Sequence, residues 1–275
     1  MAHGVDRGSG RLDAANKDNT VSGLDERFGL HGQTALVTGA RGGIGRAAAL
    51  ALADAGADVV LWGHRPGSLD DVAKEVHDRG RRAVSVTADL ADADTVRTAA
   101  ETVLADHRID ILVNNAGTIR RGPAAETPPE DWQVVLDVNL TALFRLCQLV
   151  GRPMLDRGRG KIINVASMLS FQGGVRVPAY TASKHAVAGV TKALANEWAP
   201  SGVNVNAIAP GYIATDNTAV LRADPVRESE IRSRIPVGRW GAPDDLAGAV
   251  IFLASPASDY VHGHVLAVDG GWLAR

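Results

Sequence analysis

The chain has 275 residues, 45% of them hydrophobic, which suits one large α/β domain with a sizeable core. Its 29 basic and 31 acidic side chains leave a formal net charge of −2, so no global field selects nucleic acid or an anionic membrane. The single cysteine, Cys147, excludes an intrachain disulfide, and its place in the apolar run Ala142–Val150 reads as a buried helix thiol rather than a nucleophile.

Residues 1–23 are rich in Gly, Asp, Asn and Arg and carry no apolar signal-peptide core. They read as a disordered lead-in to a domain over 24–275, and a cytoplasmic location is expected. From Gln33 onward short apolar strands alternate with helical stretches. Strands are predicted at Thr34–Thr38, Asp58–Trp62, Ala83–Thr87, Ile109–Val113, Lys161–Val165, Asn204–Ala209 and Val265–Val268. The early ones are near-continuous runs of Val, Leu, Ile and Ala, the pattern of parallel strands covered on both faces. Helices are predicted at Gly43–Ala55, Leu69–Arg79, Asp92–His107, Glu130–Leu155, Ala179–Trp198 and Pro243–Leu253. Strict β–α alternation implies a single-domain, Rossmann-type, doubly wound parallel sheet. The segment from Gly211 to about Pro236 is the least regular, with mixed charge, and reads as a loop or lid over the ligand-binding end of the sheet.

The first strand runs into Thr38-Gly39-Ala40-Arg41-Gly42-Gly43-Ile44-Gly45, which opens a helix. Glycines there let a pyrophosphate approach the helix N-terminus, where free N–H groups favour an anion. The second strand ends in Trp62-Gly63-His64-Arg65, with no acid to bind a ribose diol. Arg41, His64 and Arg65 could instead surround a 2′-phosphate, which leans towards NADP.

Tyr180 and Lys184 stand four residues apart, on one face of a helix. Ser167 follows the strand Lys161–Val165, and Asn139 lies in the preceding long helix. Hydride reduction of a ketone leaves an alkoxide that needs a proton, and the reverse reaction needs a base. A tyrosine serving near neutral pH must titrate well below its free value of about 10. A lysine ammonium one turn away and a positive nicotinamide ring are expected to lower it, with a serine hydroxyl holding the oxyanion. His262-Gly263-His264 lacks carboxylate or thiol company and reads as a loop, so no metal site is expected.

These motifs, with Asp89-Leu90, Asn114-Asn115-Ala116-Gly117 and Pro210-Gly211-Tyr212-Ile213-Ala214-Thr215, resemble those of the short-chain dehydrogenase/reductase family from Gly32 to the C-terminus. The resemblance implies that Asp89 and Leu90 contact adenine and that Asn115, Ala116 and Gly117 line the cofactor cleft. It also implies that Asn139 holds a water in a proton relay through Lys184, and that Ile213 and Thr215 hold the carboxamide end. Pro210 and Gly211 join the same cofactor set. Lys161–Gly174, Arg176-Val177-Pro178, Ala195-Asn196-Glu197-Trp198, Arg239-Trp240-Gly241 and Asp269–Arg275 are similar to a subgroup acting on deoxy sugar acids of the 2-dehydro-3-deoxy-D-gluconate type. That subgroup is usually NAD-linked and the family usually homotetrameric, with Glu130–Leu155 and Ala179–Trp198 as expected contacts. The cofactor expectation is therefore NAD or NADP.

A sugar acid needs a cation for its carboxylate. Arg176, four residues before Tyr180, is the first candidate and Arg121 the second. A rival 3-oxoacyl-carrier-protein reductase would want an exposed basic patch, whereas the basic residues here are scattered. A nucleotide-sensing regulator without catalysis would have a broken Ser–Tyr–Lys set, and all its members are present.

Overall fold

The computed structural model describes residues 23–275. The expected lead-in lies outside the described residues except for Gly23, which opens a short helix, α1 (Gly23–Phe28). Among the described residues the chain then runs β1 (Thr34–Thr38), α2 (Gly43–Asp54), β2 (Asp58–Gly63), α3 (Asp70–Asp78), β3 (Ala83–Thr87), α4 (Ala93–Asp106) and β4 (Ile111–Asn114). There follow α5 (Pro129–Leu136), α6 (Ala142–Asp156), β5 (Gly160–Val165), α7 (Pro178–Trp198) and β6 (Val203–Pro210). The last elements are α8 (Ala219–Ala223), α9 (Pro225–Arg234), α10 (Ala247–Ala254) and β7 (Val265–Val268).

The strands form one parallel sheet in the order β3-β2-β1-β4-β5-β6-β7. Alternate residues of each central strand feed opposite faces. Leu36, Val60, Trp62, Leu112 and Ile162 pack on one side with Leu146 and Trp198. Val37, Leu61, Val113 and Ile163 pack on the other with Leu52, Val72 and Val250. Burying each such aliphatic side chain contributes about 1.5–3 kcal/mol, which explains why the strands read as unbroken apolar runs. The order reverses between β1 and β4, so their diverging connections open a crevice at the carboxyl edge.

Two regions depart from the sequence expectations. The helix expected over Glu130–Leu155 is interrupted by a wide π turn, Asp137–Thr141, between α5 and α6. Among the described residues, Pro129–Asp156 is also the one helix long and apolar enough to cross a membrane by length and composition. Here it packs against α4 and α7. The segment expected to be irregular, 211–236, is largely helical. Asp224 caps α9 by accepting from the N–H groups of Val226 at 3.0 Å and Arg227 at 3.2 Å, and Pro225 occupies the first turn. Ile231 and Ile235 then dock on Met168 and Trp272 in a small third apolar cluster.

Candidate active site

The phosphate loop is built as its glycines require. Gly39 has φ +66°, a left-handed backbone that L side chains rarely adopt. A Cβ on Gly45 would lie 2.2 Å from the Gly39 carbonyl oxygen and 2.4 Å from Asn115 Nδ2, so only glycine fits. Asn115 Nδ2 donates to the Thr38 carbonyl at 2.9 Å, and Thr38 Oγ1 accepts from the N–H groups of Asn115 and Ala116, both at 3.0 Å. These bonds tie the β1 turn to the β4 turn at the point where the sheet order reverses. The N-cap of α2, Gly42, supplies no side-chain cap, so the helix start presents backbone donors to the crevice.

The crevice encloses about 560 Å³. Gly39, Arg41, Gly43 and Ile44 line it at the glycine turn, and His64, Asp89 and Leu90 beyond the ends of β2 and β3. Asn115, Ala116, Gly117, Tyr180, Lys184 and Thr215 line the rest. Trp62 holds the outer wall, its buried indole N–H donating to the Ala88 carbonyl at 3.1 Å. Arg65, which the sequence grouped with Arg41 and His64, does not line this cleft and is exposed. Pro210 pairs with Val268 in the sheet, Gly211 packs against Asp269, and Ile213 is buried in a bridge to Gly241. These three are not among the residues that line the cleft.

The four expected catalytic residues converge. Asn139 sits in the π turn, where the extra residue redirects the helix. Its Oδ1 accepts from Thr118 N–H at 2.7 Å, and its Nδ2 donates to the Thr118 carbonyl at 3.0 Å and to Ser183 Oγ at 3.1 Å. Ser183 Oγ in turn donates to the Tyr180 carbonyl at 2.7 Å, so Asn139 is tied to the first turn of α7. Ser167 caps the turn after β5, its Oγ accepting from Leu169 N–H at 3.1 Å. Burial pushes the Tyr180 hydroxyl above its ordinary value, while a hydrogen bond with Ser167 and the charge of Arg121 pull it back. Lys184 is buried, donates from Nζ to the Val165 carbonyl at 2.6 Å, and is held down to about 8 by desolvation. Its Nζ stands 5.6 Å from the Tyr180 ring centroid. In the protein alone the lowering influences on Tyr180 come from Ser167 and Arg121. Cys147 is fully buried, and desolvation raises its thiol to about 12, so it is no nucleophile.

A second cleft, of about 440 Å³, opens on the other side of Tyr180. Arg121, Leu169, Tyr180 and Tyr212 line it, as do Arg227, Glu230 and Arg234 of α9 and Trp272 near the C-terminus. Arg121 Nη2 donates to the Asn217 carbonyl at 2.8 Å, joining the loop after β4 to the segment before α8. Arg176 is a correction. Its backbone is left-handed at φ +62°, its carbonyl accepts from Gly122 N–H at 3.0 Å, and its exposed side chain lines neither cleft, although Val175 and Val177 beside it line the second. The α9 residues were visible in the sequence only as mixed surface charge. The pair Asp224-Pro225, an N-cap followed by proline, is the signal that could have revealed their helix.

Known proteins share this arrangement. The family described as Enoyl-(Acyl carrier protein) reductase matches residues 39–273. The 2-dehydro-3-deoxy-D-gluconate 5-dehydrogenase of Bacillus subtilis (strain 168) is 57% identical over 252 residues, covering 92% of this chain and 99% of that protein. A solved structure of a candidate NAD(P)-dependent gluconate 5-dehydrogenase from Beutenbergia cavernae, with NADP bound at low occupancy, has TM-score 0.89 and 55% identity, covering 90% of this chain and 100% of that one. The gluconate 5-dehydrogenase of Burkholderia cenocepacia J2315, solved with NADP and tartrate, has TM-score 0.88 and 41% identity, covering 92% and 99% of the two chains. With its switch-point cleft, its Ser167–Tyr180–Lys184 set and these relatives, the chain belongs to the short-chain dehydrogenase/reductase family of NAD(P)-dependent oxidoreductases.

Proposed function

We propose that the protein oxidises or reduces a hydroxy or keto group of a deoxy sugar acid of the 2-dehydro-3-deoxy-D-gluconate type. The observation that carries this reading is that Tyr180 lines both clefts, so its hydroxyl stands where a cofactor site and a substrate site meet. The sugar-acid class is that of the Bacillus subtilis relative, and the arginine-bearing second cleft suits an anion.

The bound nicotinamide cofactor supplies or accepts the hydride. Every other task falls to side chains. Tyr180 gives its hydroxyl proton to the substrate oxygen in reduction and takes it back in oxidation. Ser167 holds that oxygen and, with Arg121, stabilises the phenolate. Lys184, anchored on Val165, presents its ammonium on the cofactor side of Tyr180, and Asn139 orders the first turn of α7 and the Thr118 loop for proton relay.

The residues fit a dinucleotide. In the glycine turn a Cβ has no room at Gly45 and meets Asn115 and a left-handed backbone at Gly39, and Arg41 and His64 line the cleft with no acid at the end of β2. NADP is accordingly accepted at least as well as NAD, in keeping with the NADP found in the Beutenbergia and Burkholderia proteins. A homotetramer belongs to the same proposal, supported by Trp132 of α5 and Phe144 of α6, which stand 39% and 38% exposed on the expected contact helices.

The test is a spectrophotometric assay with NAD+ and NADP+ against 2-dehydro-3-deoxy-D-gluconate and gluconate, and with NADH and NADPH against the 5-keto product and a 3-oxoacyl thioester. Turnover fastest on the deoxy sugar acid pair supports the reading. Turnover confined to the thioester overturns it.

A further inference from the structure

The second cleft carries a charge gradient. Arg121 acts on Tyr180, at the reacting end. Arg234 stands at the part of the cleft walled by Trp272 and Tyr212, whose rings meet edge-on at 4.9 Å, and with Arg227 and Arg121 it acts on the Tyr212 hydroxyl. The arginines of α9 differ in what they already hold. Arg232 pairs with Glu228 at 2.9 Å and Arg227 with Glu230 at 2.6 Å. Arg234 has no ion-pair partner among the described residues. Its guanidinium lies 4.0 Å from the centroid of the Trp272 ring. Trp272 is itself buried among Met168, Ile231 and Ile235, which fixes the platform.

A guanidinium stacked on an aromatic face keeps its donor edge free and loses little freedom when an acceptor arrives. We infer that Arg234, held on Trp272, anchors the substrate carboxylate at the end of the cleft remote from Tyr180, and so selects acids whose reacting carbon lies several bonds from the carboxylate. This rests on the sugar-acid reading above and assigns its specificity to a named pair. It agrees with the chemistry of the Bacillus relative, whose name places the reaction at carbon 5, four bonds from the carboxylate carbon. The carboxylate accepts from the Arg234 donor edge, and Arg121 is left to the reacting end. A 2-keto acid reduced at carbon 2 would place its carboxylate beside Tyr180, out of reach of Arg234.

The test compares the wild type, Arg234→Ala and Arg234→Lys on the 5-keto acid and on its uncharged amide. Arg234 is exposed on a helix, so its replacement leaves the fold intact, and cofactor dissociation constants measured alongside check that cleft. The expected result is a ten- to hundredfold loss of kcat/KM on the acid for Arg234→Ala, carried mainly by KM. The loss on the amide should be below about threefold, with Arg234→Lys in between. A wild-type preference for acid over amide that survives in Arg234→Ala overturns the role of Arg234 alone. A wild type with no such preference overturns the sugar-acid reading and this inference with it.

Discussion

Arg41 of the phosphate loop and Asp216 of the segment before α8 face each other across the mouth of the cofactor cleft, Nη2 to Oδ2 at 3.4 Å. Both side chains are more than half exposed, so the pair itself contributes little to stability, of order 0–1 kcal/mol. Its position matters more. Arg41 lines the cleft beside Gly39, Gly42 and Gly43, and Asp216 occupies part of its charge.

A 2′-phosphate would compete with Asp216 for Arg41. Arg41→Ala is therefore expected to weaken NADPH about tenfold, or about 1.4 kcal/mol, and NADH less than threefold. Asp216→Asn should tighten NADPH and leave NADH alone. Titration of protein fluorescence with each cofactor measures both, and equal changes for the two cofactors would remove Arg41 from phosphate recognition.

Tyr180→Phe deletes the hydroxyl of the residue that lines both clefts. Folding and cofactor affinity should be retained, while turnover falls at least about a hundredfold, as expected for losing a general acid and base. Turnover near that of the wild type would show that another group moves the proton.

Much of this architecture is legible before any coordinates. The strands Thr34–Thr38, Ala83–Thr87 and Val265–Val268 match their expected bounds; the first is covered on both faces and writes itself as an apolar run, while the other two are partly exposed edge strands that their β-branched residues still mark. Tyr180 and Lys184 declare themselves by helical spacing. The π turn that places Asn139 has no periodic signature, since it is one residue of surplus inside a helix. The helix α9 escaped because Ile231 is its only buried residue, too few for an apolar stripe. Arg176 misled because nearness to Tyr180 in sequence does not fix side-chain direction: on a left-handed backbone, φ +62°, its side chain is exposed and lines neither cleft.

The cap of α9 gives a prediction about the substrate cleft. Asp224→Ala removes both N-terminal hydrogen bonds of the helix that carries Arg227, Glu230 and Arg234. The expected cost is about 1 kcal/mol, confined largely to this segment. KM for the sugar acid should rise several-fold, cofactor affinity should stay constant, and hydrogen exchange should speed up in 225–234 more than in β1 or β4. Uniform loss of protection across the sheet would mean that the helix is not an independent unit.

The charge of Arg121 gives the last prediction. Burial raises the Tyr180 hydroxyl, and Ser167 and Arg121 oppose that rise. A positive charge favours the phenolate, so removing it lets the tyrosine titrate at higher pH. Oxidation needs the phenolate as base. Its kcat/KM in Arg121→Ala should therefore climb to its plateau at a higher pH than in the wild type. Reduction needs the neutral hydroxyl, so its decline at alkaline pH should move in the same direction. Lys184, held down to about 8 by burial, is untouched by the substitution, and any limb it causes should stay in place. Arg121→Lys restores a charge and should recover most of the shift. Full pH profiles in both reaction directions make the comparison. Midpoints unchanged in Arg121→Ala would show that this arginine serves only to hold Asn217, through the 2.8 Å bond to its carbonyl.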